Sequence, residues 1–320
     1  MLDVGTTRIV ALAGGVGGAK LADGLARVLG DRLAVVVNTG DDFSHLGLHI
    51  SPDLDTVMYT LAGIANPQTG WGIAGETWNF MDQIARIGGP TWFRLGDRDL
   101  ATHALRTHRL DARDTLSAVT ADLCKALGIA PALIPMSDDA VRTMIRTPDG
   151  ELPFQDYFVR LACAVPVTGI RYDGAAAARV NPALARLEGV AAIVICPSNP
   201  YLSVDPILAV PGMRAWVKAQ GVPIVAVSPI VGGAAIKGPA AKIMRELGVA
   251  ATAATVARHY AGVIDGIVID EVDAGLRGEI EANGTAVCAA PAVMRSIDDR
   301  VALARTCLAF ARDIAQAQGR

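Results

Sequence analysis

No two of the five cysteines, Cys124, Cys163, Cys196, Cys288 and Cys307, form a C-x-x-C pair. That excludes the usual zinc and thiol-redox spacings, and the apolar surroundings of each predict reduced, buried thiols. No apolar run approaches the roughly 18 residues of a membrane-crossing helix, and the N-terminus lacks the charged-then-apolar pattern of a secretory signal. Together these absences predict a cytoplasmic protein with no membrane partner. Basic excess is missing as well: 29 Lys and Arg face 32 Asp and Glu, a net charge of −3. The cations are scattered, so no nucleic-acid footprint exists. Aromatic residues make up only 5% of the chain, yet Trp71, Trp78 and Trp92, three of the four tryptophans, fall in one short span. No internal repeat or low-complexity tract is present.

Apolar residues, by contrast, make up 52% of the 320 residues, enough to bury a large core in one or two domains. The organising stretch is Gly14-Gly15-Val16-Gly17-Gly18-Ala19-Lys20. It follows an apolar run, 8–12, that reads as a buried strand, and precedes Leu21, Leu25, Val28 and Leu29 at helical spacing. Glycines at a strand-to-helix turn let the chain bend sharply and a ligand come close, with the helix N-terminus facing an anion such as phosphate. A bare structural turn is the competing reading. The dinucleotide fingerprint fails because Lys20 stands where glycine is needed, and the P-loop fails because Lys20 precedes Leu21 rather than Ser or Thr.

A second strand, 33–37, ends in Asn38-Thr39-Gly40-Asp41-Asp42, which makes a β-α-β unit of a parallel sheet. Ligands of such sheets bind beyond the carboxyl ends of the strands. Ser51-Pro52-Asp53-Leu54-Asp55-Thr56 reads as a helix start, with Asp53 a first-turn cap. Four carboxylates within 15 residues, Asp41, Asp42, Asp53 and Asp55, repel unless a cation lies among them. Mg²⁺ bridging phosphates is the usual solution, with caps and turns the alternative.

The span 66–185 changes character and reads as an inserted, mostly helical cover. It contains an amphipathic helix from Thr115 (Leu116, Val119, Leu123, Leu127) and a hairpin near 141–159 about the turn Thr147-Pro148-Asp149-Gly150. In Gly96-Asp97-Arg98-Asp99-Leu100-Ala101-Thr102-His103, Arg98 and His103 either meet an anionic or heteroaromatic ligand or serve as surface pair and packed histidine. Trp71 and Trp78 read as core of the cover. Buried strands return at 190–196, 223–227 and 266–269. The first ends in Pro197-Ser198-Asn199-Pro200, the second in Ser228-Pro229-Ile230-Val231-Gly232-Gly233. Lys237 either meets phosphate or is solvated. A final helix, 299–317, carries Leu303, Cys307, Phe310 and Ile314 on one face. The expected fold is α/β: a Rossmann-like, doubly wound, mainly parallel sheet from 1–65 and 186–320, with 66–185 inserted.

Taken in order, GGVGGAK at 14–20, NTGDD at 38–42, SPDLDT at 51–56, GDRDLATH at 96–103, PSNP at 197–200 and SPIVGG at 228–233 resemble the 2-phospho-L-lactate transferase family of deazaflavin coenzyme F-420 biosynthesis over nearly the whole chain. WGIAGETWN at 71–79 is similar to its bacterial, phosphoenolpyruvate-transferring branch. The resemblance implies a Mg²⁺-dependent enzyme. It would move a phosphorylated three-carbon acid from a guanosine diphosphate-linked donor to the terminal ribityl hydroxyl of a deazaflavin riboside, releasing GMP. It also implies a homodimer. Gly14, Gly15, Gly17, Gly18, Lys20, Ser198, Asn199, Pro200, Ser228, Gly232 and Gly233 would hold the nucleotide. Asp55 and Arg98, with His103, would meet the deazaflavin. Asp41 and Asp55 would be catalytic, with Asp41, Asp42 and Asp55 at the metal. Among rivals, a nicotinamide oxidoreductase fails at Lys20. A nucleotide-sugar-binding regulator of the related gluconeogenesis factor family shares the fold but is disfavoured by SPDLDT and GDRDLATH.

Overall fold

A computed structural model describes residues 7–319. The sequence reading of the signal-free N-terminus, and the outermost ends of the two core ranges, fall on residues 1–6 and 320, outside the described residues. Seven strands form the central sheet: β1 (Arg8–Ala13), β2 (Leu33–Val37), β3 (Ala132–Pro135), β4 (Val190–Ile195), β5 (Ile224–Val227), β6 (Gly266–Ile269) and β7 (Ala286–Ala289). Their order is β7-β6-β5-β4-β1-β2-β3 and every pairing is parallel. This is the doubly wound α/β architecture expected from the sequence. Side chains alternate between two cores: Val10, Leu12, Val36 and Ile193 face one, Ile9, Ala11, Val35 and Val194 the other. Burial on both faces is why the strands read as continuous apolar runs.

The order reverses between β1 and β4, and the crevice beyond their carboxyl ends is where ligands of such sheets bind. Four longer helices frame it: α1 (Gly15–Leu29), α2 (Pro52–Leu61), α3 (Asp97–Asp111) and α4 (Ile297–Ala317). Helix α4 starts at a capping box, Ser296 with Asp299, and buries Leu303, Cys307 and Ile314 as expected.

Within 66–185 the helix Leu116–Ala126 is capped by Thr115, and the hairpin pairs Arg142–Thr147 with Gly150–Pro153. One stretch of that span is not cover. Strand β3 pairs with β2 and forms the edge of the main sheet. Its four residues, Ala-Leu-Ile-Pro, end in a proline, which argues against a sheet strand. All five cysteines are free; burial pushes the Cys124 thiol up to about 12. Among the described residues, no helix is long and apolar enough to cross a membrane.

Candidate functional site

A cavity of about 590 Å³ opens at the switch point. Its floor is the glycine turn and the strand-end turns at Pro197–Asn199 and Ser228–Pro229. Residues 292–294 and α2 form its sides, and its roof comes from the cover.

The glycine turn is built largely by its neighbours in the protein. Gly14, extended, caps α1, and Gly15 takes a left-handed φ of +62° that favours glycine. The Gly14 N–H donates to Ser198 Oγ at 3.1 Å, and Ser198 Oγ donates back to Gly14 O at 2.8 Å. A side chain at Gly17 would collide with the Pro197 carbonyl oxygen, and one at Gly18 would lie 2.5 Å from Ser198 Oγ. These glycines therefore let the β1 and β4 turns touch. The first orphan donor of α1, the Gly15 N–H, is taken by Asp53 Oδ1 at 2.6 Å. The next two orphan donors, on Val16 and Gly17, belong to residues that line the cavity, and they are the ones an anion can reach. Lys20 also lines it, its Nζ donating to Met294 O at 2.8 Å. Burial and the charges of Arg300 and Lys237 lower its pKa.

The carboxylates divide into two groups. Asn38, buried at the end of β2, reaches Asp53 Oδ2 at 2.9 Å and Asp41 Oδ1 at 3.3 Å through the same amide nitrogen. Gln155, from the cover, donates to Asp41 O at 3.4 Å. Burial, then the charges of Asp53 and Asp42, raise Asp41 well above the usual carboxylate range. Burial also raises Asp53, to about 6, against the hydrogen bonds of Asn38 and Gly15. Asp42 points elsewhere: its Oδ2 accepts from Ser51 Oγ at 2.8 Å and lies 3.1 Å from His49 Nε2.

Asp55 sits in the second group. Arg106 grips both its oxygens, one at 3.0 Å, and His103 Nδ1 lies 3.6 Å away. His103 Nε2 is 3.2 Å from Asp99 Oδ1, which accepts the Tyr59 hydroxyl at 2.6 Å. Burial pushes Asp99 up, but His103, Tyr59 and the Arg106 charge outweigh it and leave the carboxyl below the usual range. Asp55, Asp99 and His103 form a three-ligand cluster within 4.8 Å, whereas Asp41, Asp42 and Asp55 form no such group among the described residues.

The remaining expected residues distribute as follows. Ser228 Oγ is used by its own turn, donating to Ile230 O at 2.8 Å. Asn199 Oδ1 accepts from the Tyr201 N–H at 3.0 Å, and its buried amide nitrogen, at the cavity wall, has no partner. Pro200 opens the following helical turn, buried. Gly232 and Gly233 make the tip of a small hairpin and do not line the cavity. Arg98 is exposed off the lining, its Nη1 donating to Ala74 O at 2.5 Å. Arg94 lines the cavity instead, its guanidinium 4.1 Å above the Trp78 ring. Trp71 is not core: it lines the mouth, 48% exposed, with Phe93, Phe154 and Phe158 nearby on the lining. Lys237 lines the cavity too and donates to Thr69 O at 3.0 Å, tying the roof to the floor.

The sequence reading missed Arg106, Asn38 and Gln155 as site residues and left Asp53 between a first-turn cap of α2 and a carboxylate at a cation. Of these, Arg106 carried a signal: Asp99, His103 and Arg106 recur at i, i+4 and i+7, a polar stripe on one helix face.

The donor set fits a hard divalent cation. Asp41 and Asp53 are buried like charges that no basic side chain pairs directly, and both offer carboxylate oxygens to the cavity. In metal-free protein both carboxyls hold a proton more tightly folded than unfolded. For Asp53 the stability this contributes is present below about pH 4 and lost as pH rises through about 6. Asp53→Asn is expected to flatten that loss. Melting curves in chelator across this range check it; an unchanged slope contradicts the assignment.

The family model described as 2-phospho-L-lactate transferase CofD matches residues 9–292. Proteins of Streptomyces avermitilis and Streptomyces griseus, each named phosphoenolpyruvate transferase, are 46% and 45% identical to this chain over 317 and 315 residues. Each comparison covers 96% of this chain and 99% of the relative. A Mycobacterium bovis protein of the same name is 38% identical over 314 residues, 90% of this chain and 93% of that one. A solved structure from Bacillus halodurans, of the UPF0052 family, superposes with TM-score 0.62 at 14% identity, covering 95% of this chain and 99% of that one; this is a likeness of fold.

Proposed function

This chain belongs to the 2-phospho-L-lactate transferase CofD family and is a transferase, and we propose that it works in deazaflavin coenzyme F-420 biosynthesis. It moves a phosphoenolpyruvyl group from a guanosine diphosphate-linked donor to the terminal ribityl hydroxyl of the deazaflavin riboside. The observation that carries the reading is the cavity itself. A phosphate-compatible glycine turn faces an aromatic mouth at Trp71 and Phe158, with buried Asp41, Asp53 and Asp55 on the lining between them. The names of the relatives favour phosphoenolpyruvyl over phospholactyl or phosphoglyceryl.

The ribityl oxygen attacks the phosphorus that bears the three-carbon acid. The bond from that phosphorus to the bridging oxygen breaks, and GMP leaves with that oxygen. Such a transfer needs charge offset and in-line placement more than covalent help. The Val16 and Gly17 N–H groups and Lys20 hold the nucleotide phosphates, and Asn199 supplies its free amide. Asp55 orients the attacking hydroxyl. Mg²⁺, which Asp41 with Asp53 would hold, would supply charge neutralisation for the phosphoryl transfer.

Offering the three donors in competition tests the assignment: the phosphoenolpyruvyl donor is expected to have the highest kcat/KM. Tight binding of a UDP-sugar with no affinity for deazaflavin would instead favour the regulator reading. Arg98 anchors the 74–76 stretch beside the mouth, its backbone N–H also donating to Glu76 at 2.7 Å. Arg98→Ala is therefore expected to raise KM for the deazaflavin about fivefold, roughly 1 kcal/mol, and to leave KM for the donor nearly unchanged. The reverse pattern in steady-state kinetics moves Arg98 to the donor side.

A further inference from the structure

We propose that Arg106 is a positioning residue of this enzyme: its guanidinium, delivered by α3 of the cover, sets the orientation of Asp55 on α2. The catalytic part of this inference rests on the transferase reading above. Arg106 is 1% exposed and does not line the cavity, so whatever it does to a substrate it does through another side chain. That side chain is Asp55, which does line it. Two guanidinium nitrogens meet the two carboxylate oxygens, a planar fork that fixes the carboxylate plane as a single ammonium would not.

The fork is itself held. Arg106 Nη1 lies 3.4 Å from His103 Nδ1. A guanidinium has no lone pair to offer, so Nδ1 accepts this bond; Nε2, across the ring, lies 3.2 Å from Asp99 Oδ1 without a hydrogen bond to it. The Tyr59 hydroxyl closes the chain on Asp99 at 2.6 Å. Asp55 and Tyr59 come from α2 and Asp99, His103 and Arg106 from α3, so the clasp is also one of the contacts that dock this part of the cover on the core, beside the His49 N–H bond to Thr107 Oγ1. Stability alone does not explain it. A buried ion pair adds little over a well-packed apolar pair, and the Arg106 Nε, buried without a partner, adds a desolvation cost. What the clasp supplies is a defined direction for Asp55.

Four variants test this. Arg106→Lys keeps the charge and loses the fork. Turnover is expected to fall about a hundredfold, the effect of roughly 1 Å of misplacement, with KM for the guanosine donor within about twofold. Arg106→Ala leaves a hole at the carboxylate; millimolar guanidinium is expected to restore turnover at least about tenfold, while equal sodium chloride or urea does not. Arg106→Met leaves Asp55 buried and unpaired and melts early; adding Asp55→Asn recovers most of the melting temperature and none of the turnover. Wild-type turnover in Arg106→Lys overturns the proposal, and so does a double variant no more stable than Arg106→Met. The melting series needs no substrate. A wild-type protein that shows this coupling but turns over no donor therefore sinks the transferase reading and leaves the clasp standing.

Discussion

Asp41→Asn is expected to cut turnover by about a hundredfold or more while leaving the melting temperature unchanged or higher, a loss of about 3 kcal/mol of transition-state stabilisation. Asp41 is 5% exposed, beside Asp53 and Asp42, and their charges add to its burial in raising its pKa. The amide keeps the shape and removes a charge from this cluster, so folding gains. Cation affinity loses, because oxygen-ligand sites are tuned by carboxylate count. Asp55→Asn is expected to lose as much turnover with the opposite effect on folding. Its removal strands the buried Arg106 guanidinium, a situation that costs about 3–5 kcal/mol. If these residues were only caps, asparagine would serve as well as aspartate and neither variant would change activity. Turnover within about threefold of wild type for both, at saturating Mg²⁺ and just below it, removes the cation from the account.

Gly17→Val carries the second large effect. The added branch would run into the Pro197 carbonyl oxygen, a backbone atom that cannot swing aside. The β1 and β4 turns must then separate, and the switch-point crevice between them loses its shape. Overpacking of this kind costs about 1–3 kcal/mol of stability. Guanosine diphosphate affinity is expected to drop at least about tenfold, or roughly 1.4 kcal/mol. The Val16 and Gly17 N–H groups can no longer converge on one anion. Calorimetric titration reads it; a folded variant with wild-type affinity contradicts both the packing argument and the phosphate site.

The parts of the fold that were legible in the sequence are those written in local pattern. β1, β2, β4, β5 and β6 are apolar runs that end in turn residues, and α4 has a long apolar stripe behind Ser296. β3 and β7 are no shorter than β5 and β6, but β3 ends in proline and β7 is half alanine with a cysteine inside, so no local signal separates them from loop. The site follows the same division. Asp41, Asp55, Ser198 and the glycine turn could be placed because strand ends of a parallel sheet face one edge. Asp53 could not be decided between cap and site because capping is a local rule, while the N–H it accepts lies 38 residues back, on Gly15. Gln155 stands 114 residues from Asp41 and Arg106 stands 51 from Asp55, so their partners follow from tertiary packing alone. The motif drew attention to Arg98, but the arginine on the cavity wall is Arg94, fixed over Trp78. No sequence spacing distinguishes two arginines four residues apart once a loop and a helix start lie between them.

The most direct test is to incubate the protein with deazaflavin riboside, the phosphoenolpyruvyl guanosine diphosphate donor and Mg²⁺, and to weigh the products. The account predicts a deazaflavin species heavier by one phosphoenolpyruvyl group, formed in equal amount with GMP, and both formed about a hundredfold more slowly by Asp41→Asn. Release of GMP with no change in the mass of the deazaflavin would show hydrolysis of the donor rather than transfer, and would contradict the account at its centre.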